Sequence, residues 1–326
     1  MLTLIASLPL LGALVISIMK KENSTAIKVA ALVTSLLPAL ATIAMTLGFD
    51  KSATGFQYVE RYAWIKSLGI NYQLGVDGIS LVLILLSTIL VPIVIAAGWN
   101  ESEGGRFSVK TFYILIMILE TMMIGVFAAT DLFLFYVFFE AMLIPVYFLI
   151  GGYGRGERAQ AAMKFLLYSL LGGLLMLAAV IGTYVIGTNQ IGSTFDVTAL
   201  SGLHIDSATE NMLFLGFFIA FAIKAPLWPL HTWLPTAAKS ATPATSVLLL
   251  GVLDKVGTYG MIRFCMTLFP EATKTFTPWI ITLAVISILY GAFLAIGQRD
   301  INSLISFTSI SHFGFITLGI FALTSQ

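Results

Sequence analysis

The apolar residues of this chain fall in long runs separated by short polar stretches. The runs lie at about 2–19, 27–49, 78–98, 111–129, 131–150, 161–187, 211–234, 244–269, 277–297 and 302–324. Each reaches or approaches the roughly 20 residues that a helix rising about 1.5 Å per residue needs to cross a bilayer. Ten membrane helices are therefore expected. The longest connections, 50–77 and 188–210, are rich in Gly, Asp, Thr and Ser, and neither is long enough for a soluble domain. The pattern predicts an all-α polytopic membrane protein with a single domain, 1–326, whose first three helices occupy about 2–98.

Composition agrees. Of the 326 residues 58% are hydrophobic and 10% charged, where soluble domains carry about 25% charged residues. Mean hydropathy is +0.97. A net charge of +1 leaves no acidic tail or basic arm, so no nucleic-acid partner is expected and the bilayer is the medium. The single cysteine, Cys265, excludes an intrachain disulfide and a cysteine-held iron–sulfur cluster. His204, His231 and His312 have no metal-like spacing. The first run has its lysines, Lys20 and Lys21, behind it, which suits a retained span better than a cleaved signal peptide. If the helices alternate, Lys20, Lys21, Lys28, Arg106, Lys110, Arg155, Arg158, Lys239 and Arg299 share one side, and Asp196, Asp206 and Glu210 the other. The positive-inside rule then puts the N-terminus outside, against the weight of Lys51, Arg61 and Lys66 in the long outer connection.

Ionisable residues inside the runs are the candidates for chemistry. FYVFFEAMLIPVYFLI, 135–150, places Glu140 near the midplane, where a charge costs roughly 2.5–3.5 kcal/mol on the most forgiving scale. Glu120, Lys224, Asp254, Lys255 and His312 lie at similar depth. Desolvated groups of these kinds can exchange protons near neutral pH, so together they suggest a proton pathway; the bland reading is a set of static ion pairs. Glu140 and Lys224 are expected within ion-pair range, since each alone is too costly.

Lys224 lies in FAIKAPLWPLHTWLPTAAK, where Pro226, Pro229 and Pro235 deprive the carbonyls of Ala222, Ala225 and His231 of helix partners. The seventh run should therefore break, with freed carbonyls holding water beside the ammonium. Pro145 does the same to the carbonyl of Ala141, next to Glu140, unless it is a plain packing kink. Gly251, four residues before Lys255, would leave space around that lysine. Asp254, about 100° away, suits a structural partner for another helix. Thr308 and Ser309 stand beneath His312 and could pass protons through water, or could bond back to the helix. Lys164, near the start of its run, could simply snorkel to the surface. His231 completes the set of further candidates.

GRGERA, 154–159, fits a dinucleotide-binding pattern, but it follows a twenty-residue membrane run rather than a short strand and reads as a loop. No catalytic triad, metal cluster or nucleotide loop is present in the sequence, so no redox chemistry and no cofactor are expected in this chain itself.

Four stretches, DLFLFYVFFEAMLIPVYFLIG, KAPLWPLHTWLP, LDKVGTYGMIRF and QRDINSLISFTSISHFGF, together resemble the antiporter-like M-type subunits of respiratory complex I, the NADH:quinone oxidoreductase, from about Leu74 onward. The resemblance implies a fourteen-helix fold of inverted five-helix repeats with a broken seventh helix, the first repeat at about 111–269 and an incomplete second at about 277–326. It implies proton pumping driven by quinone reduction elsewhere, with flavin, iron–sulfur clusters and quinone in partner subunits, and antiporter-like L and N types as membrane neighbours in a bacterial plasma membrane. It assigns proton translocation to Glu140, Lys224, Lys255 and His312. The chain departs from the family after WLP, where an acid and a histidine are common and Thr236, Ala237 and Ala238 stand here. The second repeat stops after two helices, which points to a longer protein. A multisubunit cation/proton antiporter shares the same Glu and Lys plan, and a scaffold subunit that has lost pumping is a third reading.

Overall fold

A computed structural model describes residues 1–322, so the last residues of the tenth expected run, 323–324, lie outside the described part. Nine helices among the described residues are long and apolar enough to cross a membrane, and a tenth apolar helix, Leu2–Ile18, is slightly shorter. The ten expected runs are thus ten helical segments, several of them longer than their apolar cores. The elements are α1 Leu2–Ile18, α2 Ser24–Leu47, β1 Gln57–Ile65, β2 Ile70–Val76, α3 Gly78–Ala97, α4 Val109–Ala128, α5 Leu132–Ala141, α6 Leu143–Tyr153 and α7 Arg158–Ile191. After these come α8 Val197–Leu200, α9 Ser207–Lys224, α10 Trp233–Ser240, α11 Pro243–Leu268, α12 Pro270–Ile296 and α13 Ile301–Phe321.

The chain forms two compact units. The first contains Met1–Lys66, Ile70–Ala162 and Ser240–Val252. Helix α4 is its centre, packed by α1, α2, α3, α5 and α6. Small residues let these helices approach: a Cβ on Gly12 would lie 2.7 Å from the Thr34 hydroxyl, and one on Gly125 would lie 2.6 Å from the Phe138 ring.

The 50–77 connection is not the plain loop that its polar composition suggested. QYVERYAWI and INYQLGV pair as an antiparallel hairpin, with Tyr62 opposite Tyr72. Its β-branched and aromatic residues are strand formers hidden among polar neighbours. Asp131 ties this hairpin to the helices: one carboxylate oxygen accepts the N–H groups of Phe133 and Leu134 at the start of α5, and the other accepts the N–H of Asn71.

The second unit contains Ser67–Gly69, Met163–Lys239 and the residues from Leu253 onward. Helices α12 and α13 pack at backbone distance: a Cβ on Gly291 would lie 2.6 Å from the Ser311 nitrogen, and one on Gly314 would lie 2.8 Å from the Ala284 carbonyl oxygen. The Ser311 hydroxyl donates to the Ile288 carbonyl (3.0 Å) across the same seam. Glu210 on α9 accepts the N–H groups of Glu271 and Ala272 (2.9 and 3.0 Å), capping the first turn of α12 with a charge of the favourable sign. Two features escaped the sequence. Helix α7 has 34 residues, about 51 Å of helix, which exceeds a bilayer core of about 30 Å. Helix α11 contains π-helical turns at Leu249–Leu253 and Met261–Cys265, of a kind that often marks functional helices.

Candidate functional site

In the first unit, Glu140 is the penultimate residue of α5 and Met142 separates α5 from α6. The Met142 N–H donates to the Phe138 carbonyl (3.2 Å), and Pro145, at the third position of α6, offers no N–H to Ala141. The interruption expected beside Glu140 is therefore real. The Glu140 side chain is half-buried. Glu120, on α4, is fully buried, and neither carboxyl oxygen has a hydrogen-bond partner among the described residues. An uncompensated buried carboxyl is costly, which makes it a stronger functional candidate than its sequence context suggested.

In the second unit, the seventh run is broken as expected. Helix α9 ends at Lys224, residues 225–232 form turns, and α10 starts at Trp233. Lys224 is only 2% exposed, and its ammonium lies over the Phe165 ring, 5.6 Å from the centroid. The carbonyls are not left open in the way the prolines alone implied. Ala222 accepts the Leu227 N–H (2.9 Å) in a wider turn, Ile223 accepts the Trp233 indole N–H (2.8 Å), and His231 accepts the Leu234 N–H (3.0 Å). Chain reversal thus re-satisfies Ala222 and His231, two of the three carbonyls that the prolines free, and a buried indole takes up that of Ile223.

Helix α11 approaches this break closely. A Cβ on Gly257 would lie 2.5 Å from both the Ala225 nitrogen and the Phe221 carbonyl oxygen, and one on Gly260 would strike the Phe221 ring. One turn earlier, Asp254 is fully buried, and neither carboxyl oxygen has a hydrogen-bond partner among the described residues. The charges that act on it are those of its neighbour Lys255 and of Lys224 at the end of α9. Lys255 is half-buried. Gly251 makes room for Leu90, whose Cδ2 would lie 2.8 Å from an added Cβ.

Other candidates divide differently. His312 lies on the exposed face of α13, and Ser309 is half-buried. Thr308 bonds back to the Leu304 carbonyl (2.8 Å), the bland alternative for that hydroxyl. Lys164 does not merely snorkel: its ammonium donates to the Thr236 hydroxyl on α10 (3.2 Å). One turn further, the Tyr168 hydroxyl pairs with that of Thr232 (2.8 Å). His231 is 3% exposed, its Nδ1 has no hydrogen-bond partner among the described residues, and its ring stands edge-on to Tyr290 with centroids 4.9 Å apart. Sequence reasoning missed the pairing of Tyr168 with Thr232 and of Lys164 with Thr236; the signal was the four-residue spacing on each side. No group of three or more His, Cys, Asp or Glu suited to a metal ion occurs among the described residues.

Membrane-length helices with a buried lysine at a broken span define a polytopic helical membrane protein. Residues 129–326 match the family described as NADH:quinone oxidoreductase/Mrp antiporter, transmembrane, and residues 1–126 match NADH-ubiquinone oxidoreductase chain 4, amino terminus. The chain belongs to the NADH:quinone oxidoreductase/Mrp antiporter family. It is 47% identical over 351 aligned positions to NADH-quinone oxidoreductase subunit M of Mycobacterium tuberculosis (strain ATCC 25618 / H37Rv), with 98% of this chain and 64% of the relative covered. It is 40% identical over 338 positions to subunit M of Rhodobacter capsulatus, with 100% and 65% covered. Among solved structures, respiratory complex I from Thermus thermophilus with bound NADH contains a chain matching with a TM-score of 0.87 at 31% identity, over 99% of this chain and 65% of that one. The Mrp complex from Dietzia sp. DQ12-45-1b shares the fold, with a TM-score of 0.81 at 22% identity over 99% of this chain and 34% of that one. The chain spans slightly less than two thirds of the length of these relatives.

Proposed function

We propose that the chain serves as a proton-translocating membrane subunit of NADH:quinone oxidoreductase, respiratory complex I, without redox chemistry of its own. The observation that carries this reading is Lys224: a lysine 2% exposed at the last residue of a helix that stops inside an apolar run. Such a lysine can lose its proton when its electrostatic surroundings change, and irregular backbone beside it suits a lining for water. The subunit M relatives support the assignment to this complex. Glu140, Lys224, Lys255 and His312 are the proposed proton-handling groups, with Glu120 and Asp254 as further buried carboxyls. The first repeat spans about 111–269, and a second begins near 277. Flavin, iron–sulfur clusters and quinone belong to partner subunits, L- and N-type antiporter-like subunits flank the chain, and the assembly lies in a bacterial plasma membrane with this N-terminus outside.

A cation/proton antiporter is the second reading, favoured by the matching family description, which also names the Mrp antiporter, and by the fold shared with the Mrp complex. Purification separates the two: co-isolation with flavin and iron–sulfur subunits supports complex I, and sodium-dependent transport without them supports the antiporter. Glu140→Gln tests whether the carboxylate acts in pumping. Removing its charge while keeping its shape should lower proton uptake into vesicles several-fold per assembled complex, at unchanged assembly. Uptake at the wild-type rate would leave Glu140 a structural residue.

A further inference from the structure

At the end of α6 the first unit carries an open cleft of about 110 Å³, between the α3–α4 connection, α6 and the start of α7. Its floor is made of small residues: Gly151 and Gly152 bring no side chain and Ala159 brings one methyl. Phe107, Tyr147 and Phe148 form its apolar walls, with the Phe107 and Phe148 rings edge-on and 6.2 Å apart. Phe107 is seated over Gly152, where an added Cβ would lie 2.6 Å from its ring. Arg106 completes the rim, with its guanidinium 5.8 Å from the centroid of the Phe107 ring.

The cleft lies where the apolar run 131–150 gives way to the polar connection that starts at Gly151, the depth at which lipid headgroups meet hydrocarbon. The segments at its rim, 105–108 and 153–159, carry Arg106, Arg155 and Arg158 against Glu157 alone. The acids of the α3–α4 connection are engaged elsewhere: Glu101 accepts the Ala244 N–H (2.8 Å) and Glu103 pairs with Lys28 (2.6 Å). Arg158 donates to the Gly152 and Gly154 carbonyls (3.4 and 3.3 Å), which holds its guanidinium beside the cleft. Arg106 is exposed and has no ion-pair partner among the described residues. Phe148 and Ile144, 41% and 60% exposed, share one face of α6 and continue the apolar wall toward the middle of the membrane.

A cationic rim above an open apolar wall selects a ligand with an anionic head and a hydrocarbon tail. The cleft is well below the roughly 300–1,000 Å³ of an ordinary small-molecule pocket, so its occupant keeps most of its body outside the protein, in the bilayer. We propose that the cleft binds an anionic phospholipid, with the phosphate on the N–H fork of Arg106 and beside Arg158, and one acyl chain along Phe148 and Ile144. The site is separate from the buried Glu and Lys groups. It rests on the membrane-spanning character of the chain and not on the proton-translocating reading above.

The test is acyl-chain photolabelling of the assembled complex in phosphatidylcholine vesicles that contain a trace of diazirine-bearing phosphatidylglycerol or, in parallel, of diazirine-bearing phosphatidylcholine. Peptide mass spectrometry maps the label, normalised to the total on the complex. Phosphatidylglycerol should mark residues 144–162 at least about tenfold more strongly than phosphatidylcholine, since each basic residue near a membrane surface contributes about fivefold. Arg106→Gln should lower the phosphatidylglycerol label there about fivefold. Ala159→Trp, which fills the cleft from an exposed position, should remove the preference. Equal labelling by the two lipids overturns the proposal, because it marks ordinary bilayer contact. Absence of label from both lipids overturns it as well, because a neighbouring subunit then covers the cleft. A preference that survives in both assembled variants overturns the assignment to Arg106 and this cleft. The comparison of lipids in the unaltered complex decides the matter where a variant fails to assemble.

Discussion

Lys224→Ala is expected to reduce proton uptake by the assembled complex at least about tenfold, because a positioned proton donor commonly contributes a factor of a hundred or more. The physical argument starts from burial. The lysine is 2% exposed, and its ammonium has an aromatic face, Phe165, on one side. An ammonium in that setting is held by a small number of charges, and each unit by which its pKa responds to them corresponds to 1.36 kcal/mol. Small movements of those charges are then enough to load and discharge it. Alanine removes the carrier, and nothing at the end of α9 can replace it: the neighbouring residues 222–223 and 225–227 are apolar. Assembly should survive, since the backbone of the break is held by other groups, among them the Trp233 indole on Ile223 and the Leu227 N–H on Ala222. NADH:quinone reductase turnover should fall together with uptake where coupling is tight. Full reductase rate with lost uptake would mean that the chain pumps but does not gate the redox reaction.

Gly257→Val should prevent the second unit from folding stably. An added Cβ would sit 2.5 Å from the Ala225 nitrogen and the Phe221 carbonyl oxygen, and these two backbone atoms are themselves joined by the 2.7 Å hydrogen bond that closes the last turn of α9. Relief requires α9 and α11 to separate, because neither atom belongs to a flexible side chain. Overpacking of this kind costs about 3 kcal/mol or more, a large part of a total stability of about 5–15 kcal/mol. The yield of folded protein in detergent and its melting temperature measure the effect. Gly319→Ala is the control: a Cβ there meets nothing within 4 Å, and no loss is expected. Equal melting temperatures for the two variants would mean that α11 does not approach the break as closely as described.

The membrane helices were legible because an apolar run of about 20 residues has few other uses. The break after Lys224 was legible for a related reason: three prolines within ten residues cannot all sit in one helix. The fate of the freed carbonyls was not, since the Leu227 and Leu234 N–H groups reach those of Ala222 and His231 only once the chain has turned. The hairpin at 57–76 was hidden because polar and strand-forming residues are mixed there, and composition averages them. The Lys164–Thr236 and Tyr168–Thr232 pairs depend on how α7 meets α10 and the turn before it, and no single helix displays them.

The most direct test of proton transfer through Lys224 is proton uptake into vesicles by complexes carrying Lys224→Arg, normalised to assembled complex. Arginine keeps the positive charge and most of the length, and it does not give up its proton at any pH the protein experiences. A lysine that must load and discharge predicts almost no uptake in this variant, close to that of Lys224→Ala, with assembly retained. Uptake at the wild-type rate would mean that a fixed charge suffices at this position and would contradict a proton-carrying Lys224.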